Sequence, residues 1–103
     1  MNSTALTGAQ RTKLRGIGQT SPDTLLIGRE GAAESVTAQL DRELSNRELV
    51  KVRFTGGQDR QARAALHEIL AGATRSECVG AVGHTALFFR RNPDPLRRKI
   101  LPG

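Results

Sequence analysis

The sequence predicts an α/β domain in which a four-stranded mixed sheet is combined with three helices in the order α-β-α-β-α-β-β. Three observations predict it. Two apolar runs, at 24–27 and 48–55, are each followed by a segment whose apolar residues recur at helical spacing. Two further apolar runs near the C-terminus are separated by a short glycine-containing connection. The chain has 103 residues, of which 37% are hydrophobic, enough for one core without a disulfide or metal staple. Strand–helix–strand units favour parallel neighbours with right-handed crossovers, and the final hairpin adds an antiparallel pair. The outcome is one compact domain of two or three layers.

Each element has a local cause. Thr7 can cap a first helix, with Gln10 as its capping-box partner. Leu6, Gln10, Leu14 and Ile17 share one arc of that helix; Arg11 and Arg15 lie on its back and Lys13 on the flank. Gly16 and Gly18 are expected to fray its end before the Ser21-Pro22-Asp23 loop. The apolar run at 24–27 reads as a buried strand. A second helix over 32–44 places Ala33, Val36, Thr37, Leu40 and Leu44 on one stripe and Glu34, Asp41 and Glu43 outside, with Ser45-Asn46 as its stop. Residues 48–55 alternate, with Val50, Val52 and Phe54 on a buried face and Lys51 and Arg53 on a basic one. After the Gly56-Gly57 turn, a helix over 58–71 is expected to bury Ala62, Ala65, Leu66 and Ile69, to expose Arg60, Arg63 and His67, and to end at Gly72. The runs 79–82 and 86–89 form the hairpin. The domain is assigned to residues 1–91, and 92–103 to a basic, proline-punctuated tail that is extended or partly disordered when free.

The charge narrows the function. A net +6 and a pI of about 11.0 favour a polyanionic partner. No helix pairs a broad apolar face with a Lys/Arg-rich one, so nucleic acid ranks ahead of a membrane surface. The first twenty residues hold no apolar signal core, and no apolar run approaches the roughly 18 residues of a bilayer span. The expectation is a soluble, cytoplasmic, monomeric chain. The lone Cys78 excludes an internal disulfide and reads as a small buried hydrophobe. His67, His84 and Cys78 lack metal-ligand spacing, and no phosphate-binding Walker loop, catalytic carboxylate pair or nucleophile–base motif is present. Neither an enzyme nor a metal or other cofactor is expected.

The candidate site is the turn Gly28-Arg29-Glu30-Gly31, between the first strand and the second helix. Glycines at a helix N-terminus leave backbone N–H groups and a partial positive charge available to a phosphate. The same spacing can serve only to supply a positive φ and a tight bend. Arg29 at the tip adds a guanidinium suited to phosphate. Arg11, Lys13 and Arg15 either extend the basic surface or form a solvated helix face, and Arg90 and Arg91 suit long-range attraction. Phe54, Phe88 and Phe89 sit in apolar runs and belong to the core, so recognition by stacked bases is disfavoured.

The ordered set Leu6-Thr7, Gln10-Arg11, Leu14-Arg15, then Leu26-Ile27-Gly28-Arg29-Glu30-Gly31, Arg47 to Val52, Val82-Gly83-His84, Leu87 to Arg90 and Ile100-Leu101-Pro102 resembles the CRM domain, in its stand-alone bacterial YhbY-type form. The resemblance covers essentially the whole chain. It implies a fold similar to the C-terminal domain of bacterial translation initiation factor three. It also implies RNA binding, with members associated with precursors of the large ribosomal subunit. The family's GxxG loop, likened to the backbone-clamping loop of KH domains, falls on Gly28, Arg29, Glu30 and Gly31. Three positions depart from the pattern: Ala32-Ala33 replaces a Leu-Thr pair, Glu30 brings a negative charge into the loop, and Phe89-Arg90 replaces Tyr-Arg. The expected function is non-enzymatic binding of ribosomal RNA or large-subunit precursors during ribosome assembly. The alternative is a protein-interaction module that docks on an acidic partner without touching RNA.

Overall fold

The computed structural model describes residues 6–101. Helix α1 (Gly8–Thr20), strand β1 (Leu25–Ile27), helix α2 (Glu34–Arg47), strand β2 (Leu49–Phe54), helix α3 (Arg60–Thr74), and strands β3 (Glu77–Val82) and β4 (Thr85–Phe89) follow in the predicted order. A 3-10 turn at Pro95–Arg97 comes after them. The sheet order is β1-β2-β4-β3. β1 runs parallel to β2 with Leu25 opposite Val52, and β4 lies antiparallel between β2 and β3. The mixed four-stranded sheet is therefore as expected.

The sheet is covered on both faces, so the domain has three layers. On one face Val50, Val52, Phe54, Ala86 and Phe88 meet Val36, Leu40 and Leu44 of α2 and Leu70 of α3. On the other, Val79, Leu87 and Phe89 meet Leu14 of α1, and Leu101 completes this second cluster. All three phenylalanines are buried, as the apolar runs predicted. The Thr7–Gln10 capping box is formed, with the Gln10 amide 3.1 Å from Thr7 Oγ1 and the Thr7 amide 2.9 Å from Gln10 Oε1.

Several local expectations are corrected. α1 does not fray at Gly16–Gly18: it continues to Thr20, with Gly18 buried on Leu87 and Lys51 Nζ donating to the Gly18 and Ser21 carbonyls at 3.1 and 3.2 Å. Lys51 thus closes the end of α1 instead of joining a solvated basic face, and Arg53 pairs with Asp23 at 2.7 Å. In β1 only Leu25 and Ile27 are buried; Leu26 is 62% exposed, because its side of this edge strand lies beyond the cover of α1. Ser45-Asn46 does not stop α2, which runs on to Arg47 and ends at Glu48 with φ 65°. Gly72 lies inside α3, whose end is Arg75 with φ 56°.

The buried face of α3 is rotated by one residue from the expected one. Leu70 and Thr74 are buried and Arg63, Leu66, His67 and Ala71 half-buried, while Ala62, Ala65 and Ile69 are exposed. Burial free energy scales with apolar area, so two leucines and an imidazole outweigh one isoleucine and two alanines. The His67 ring lies tilted at 5.3 Å from the Phe54 ring and edge-on at 6.4 Å from Phe88.

Residues 92–101 also differ from the expected loose tail. Asp94 caps the 3-10 turn by accepting from the Leu96 amide, and Leu101 is 3% exposed in the second core cluster. Pro102 lies outside the described residues.

Candidate nucleic-acid interface

The strand directions decide which predicted site residues meet. β1 and β2 end at the same edge, and the hairpin tip Gly83-His84 returns there, with the Phe54 amide donating to the His84 carbonyl at 2.8 Å. The Gly28–Gly31 loop, the Gly56–Gln58 turn, the start of α3 and the hairpin tip therefore cluster at one end of the sheet. Arg90 and Arg91 follow β4 and lie at the other end, one strand length or about 17 Å away for the six residues of β2.

The loop is a tight turn. The Gly31 amide donates to the Gly28 carbonyl at 3.2 Å and the Ala33 amide to Glu30 O at 3.2 Å. Gly31 has φ +58° and is buried, with Leu66 Cδ2 3.2 Å from where a Cβ would lie. So the second glycine does satisfy the structural requirement for a left-handed residue. The first lies half-buried against a brace: Gln58 Nε2 donates to Gly28 O at 2.9 Å, and Thr55 N to Ile27 O at 2.8 Å.

The loop and the start of α2 leave amides open. Ala33, the N-cap of α2, makes no side-chain cap. Among the described residues, the amides of Arg29, Glu30, Ala32, Glu34 and Ser35 make no hydrogen bond. Such amides, with the helix dipole behind them, can receive an anionic oxygen. Arg29 is exposed beside them. Glu30 folds back over Gly28, with Oε1 2.8 Å from the point a Gly28 Cβ would occupy.

The other predicted residues do not join this loop. Arg11 forms a salt bridge with Glu77, and Arg15 lies on Gly80 and donates to Val79 O at 3.2 Å, so both tie α1 to β3. Lys13 is exposed. Arg90 is a strut: Nη1 donates to Asp41 Oδ1 at 2.6 Å and Thr74 O at 2.8 Å, and Nη2 to Asp41 O at 2.9 Å and Ser45 Oγ at 2.8 Å. Arg91 is half-buried and lines a cleft with Arg75 and Arg97.

Gly56 and Gln58 support the loop, and sequence reasoning did not single them out. A Gly-Gly pair reads as any turn, and its tie to Gly28 exists only through space. Asp59, which caps α3 by accepting from the Ala62 amide at 2.8 Å, carried a visible signal as an N-cap residue type.

Burial pushes the Cys78 thiol up, and burial together with Arg63 lowers His67. Among the described residues no group of three or more His, Cys, Asp or Glu could hold a metal, and no helix is long and apolar enough to cross a membrane.

The structure defines a class: a small basic three-layer α/β domain that presents a glycine-bounded loop at one end of a mixed sheet. Within that class, the chain belongs to the CRS1/YhbY (CRM) domain family, whose model matches residues 6–90. It is 36% identical over 91 residues to the Pseudomonas aeruginosa "probable RNA-binding protein PA4753", covering 88% of this chain and 86% of that one. It is 26% identical over 87 residues to a Haemophilus influenzae protein named RNA-binding protein, covering 84% and 87%. The solution structure of the hypothetical Staphylococcus aureus protein SAV1595, proposed to bind RNA, superposes with a TM-score of 0.78 at 31% identity, covering 94% of this chain and all of that one.

Proposed function

We propose that this chain is a non-enzymatic RNA-binding protein that engages ribosomal RNA in large-subunit precursors during ribosome assembly, through Gly28–Gly31 and the chain's basic surface. The observation that carries the reading is the loop, whose Arg29 and Glu30 amides have no internal partner and stand beside the exposed Arg29 side chain. A phosphodiester oxygen fits that donor set, and a guanidinium adds a charge-assisted hydrogen bond. The names of the relatives and the net charge of +6 support RNA as the anion. With all three phenylalanines buried, the chain offers no Phe, Tyr or Trp platform on which bases stack, so it reads backbone and shape.

Sucrose-gradient sedimentation of the tagged chain from lysate tests this. At low salt the protein should run at or just below the large subunit, and it should leave as salt rises, with a log–log slope of roughly −0.7 to −0.9 per phosphate. Arg29→Glu, at an exposed tip, should move it to the top of the gradient without changing its melting temperature. Wild-type protein found only at the top at low salt overturns the ribosomal target. Arg29→Glu that still co-sediments overturns the loop.

A further inference from the structure

At the end of the sheet opposite the GxxG loop, a cleft of about 560 Å³ is lined by Arg75, Arg90, Arg91 and Arg97 against a single carboxylate, Asp41. That carboxylate is already paired with Arg90 at 2.6 Å. Arg90 also takes up Thr74 O at the end of α3 and Asp41 O in α2. The helix carbonyls that would repel an anion here are thereby partly neutralised. Of the other three guanidiniums in the lining, two come from separate elements, Arg75 from the end of α3 and Arg97 from the 3-10 turn. Both residues are exposed, and among the described residues neither side chain makes a hydrogen bond or ion pair.

Exposed arginines are commonly no more than solvated charge, but Arg75 sits in a costly place. Its φ is 56°, the left-handed conformation that ends helices and that glycine or asparagine adopts most cheaply. A side chain kept there against its backbone preference points to a use for the side chain. Nothing aromatic lines the cleft, which suits it to a sugar–phosphate group rather than a base.

We propose that this cleft is a second phosphate-binding site, formed by Arg75 and Arg97, that takes a phosphodiester of the same RNA held by the GxxG loop. The chain then grips RNA at two points on opposite ends of the sheet. This rests on the RNA reading above.

The test is NMR of the isotope-labelled full chain titrated with a 30-nucleotide RNA hairpin, following the arginine Nε–Hε signals and the loop amides. Shifts at Arg75 and Arg97 together with the loop amides are expected. The double variant Arg75→Gly with Arg97→Gln should lower the magnitude of the salt slope by about one to two, the loss of roughly two phosphate contacts. Arg75→Gly alone should melt at a higher temperature than wild type while binding the hairpin more weakly; a merely structural arginine would not separate the two. Loop amides that respond while Arg75 and Arg97 stay silent, or a double variant with the wild-type slope, overturn the cleft and leave the loop intact. Equal shifts from inorganic phosphate at matched concentration reduce it to a free-anion site and also overturn it. A hairpin that moves neither set overturns the RNA reading and the cleft with it.

Discussion

The backbone of Gly56 lies directly against that of Gly28. A Cβ at Gly56 would sit 2.5 Å from the Gly28 carbonyl carbon and oxygen and 2.6 Å from the Arg29 nitrogen. Only a residue without a side chain fits, and the opposing atoms are backbone, which cannot rotate aside. The turn after β2 is thereby the floor on which the GxxG loop rests, fastened by Gln58 Nε2 on Gly28 O.

Gly56→Ala should therefore act at a distance. It should cost about 1–3 kcal/mol of stability through overpacking and displace the loop, so that RNA affinity falls even though residue 56 offers nothing to RNA. Gly57→Ala is the control: it has φ +80° but open space around it, so it should cost about 1 kcal/mol in strain and leave binding alone. Urea denaturation and RNA titration of both variants separate them. Equal binding losses would show that the floor does not set the loop.

The Glu48 carboxylate holds the C-terminal segment. Oε2 accepts the Asn92 amide at 2.7 Å and Oε1 the Lys99 amide at 2.9 Å, and the residue is 3% exposed. Removing it with Glu48→Ala strands those donors and releases Leu101 from the core, at a cost of about 2–4 kcal/mol. Trypsin should then cut faster at Arg97, Arg98 and Lys99 in the folded protein. Unchanged cleavage there would mean that apolar packing of Leu101 holds the segment alone.

This segment shows why the sequence reveals some features and hides others. Element order, the Thr7–Gln10 box and the glycine loop follow from residues close in the chain, where spacing carries the physics. The packing of 92–101 depends on a carboxylate 44 and 51 positions away, and its arginines and prolines resemble those of a free tail. The buried face of α3 is ambiguous in the sequence because the helix is apolar over two arcs, and only the positions of Phe54 and Phe88 choose between them. The ends of α2 and α3 were hidden because Glu48 and Arg75 occupy left-handed positions where glycine is the usual signal. The GxxG loop was legible as a motif, but its support by Gly56 was not.

His67 makes stability depend on pH. Burial, and then Arg63, lower its pKa from the ordinary value of 6.5. The unfolded chain therefore binds the proton first as pH falls, so stability is fully present above about 6.5 and is lost on acidification down through the folded-state value. The melting temperature should drop between pH 7.5 and 5.5, above the range where carboxylates titrate. His67→Phe keeps an aromatic ring against Phe54 and removes the charge, so its melting temperature should vary less over that interval. An unchanged acid slope in His67→Phe would assign the effect elsewhere.

Glu30 sets two properties of the loop against each other. Its carboxylate lies over Gly28, next in the chain to the open Arg29 amide, and it stands just ahead of α2, whose N-terminus carries a partial positive charge. Removing the charge with Glu30→Gln should strengthen RNA binding by about 1 kcal/mol, roughly fivefold, from the lost like-charge repulsion. The same change should weaken the fold by about 0.3–1 kcal/mol, because the first turn of α2 loses a negative neighbour and Ala33 supplies no cap. The two effects have opposite signs and share one cause. A titration with the same RNA hairpin alongside a melting curve reads both. Weaker binding by Glu30→Gln would show that the carboxylate serves RNA directly, as an acceptor for a base or ribose hydroxyl, and would remove the phosphate-only account of the loop.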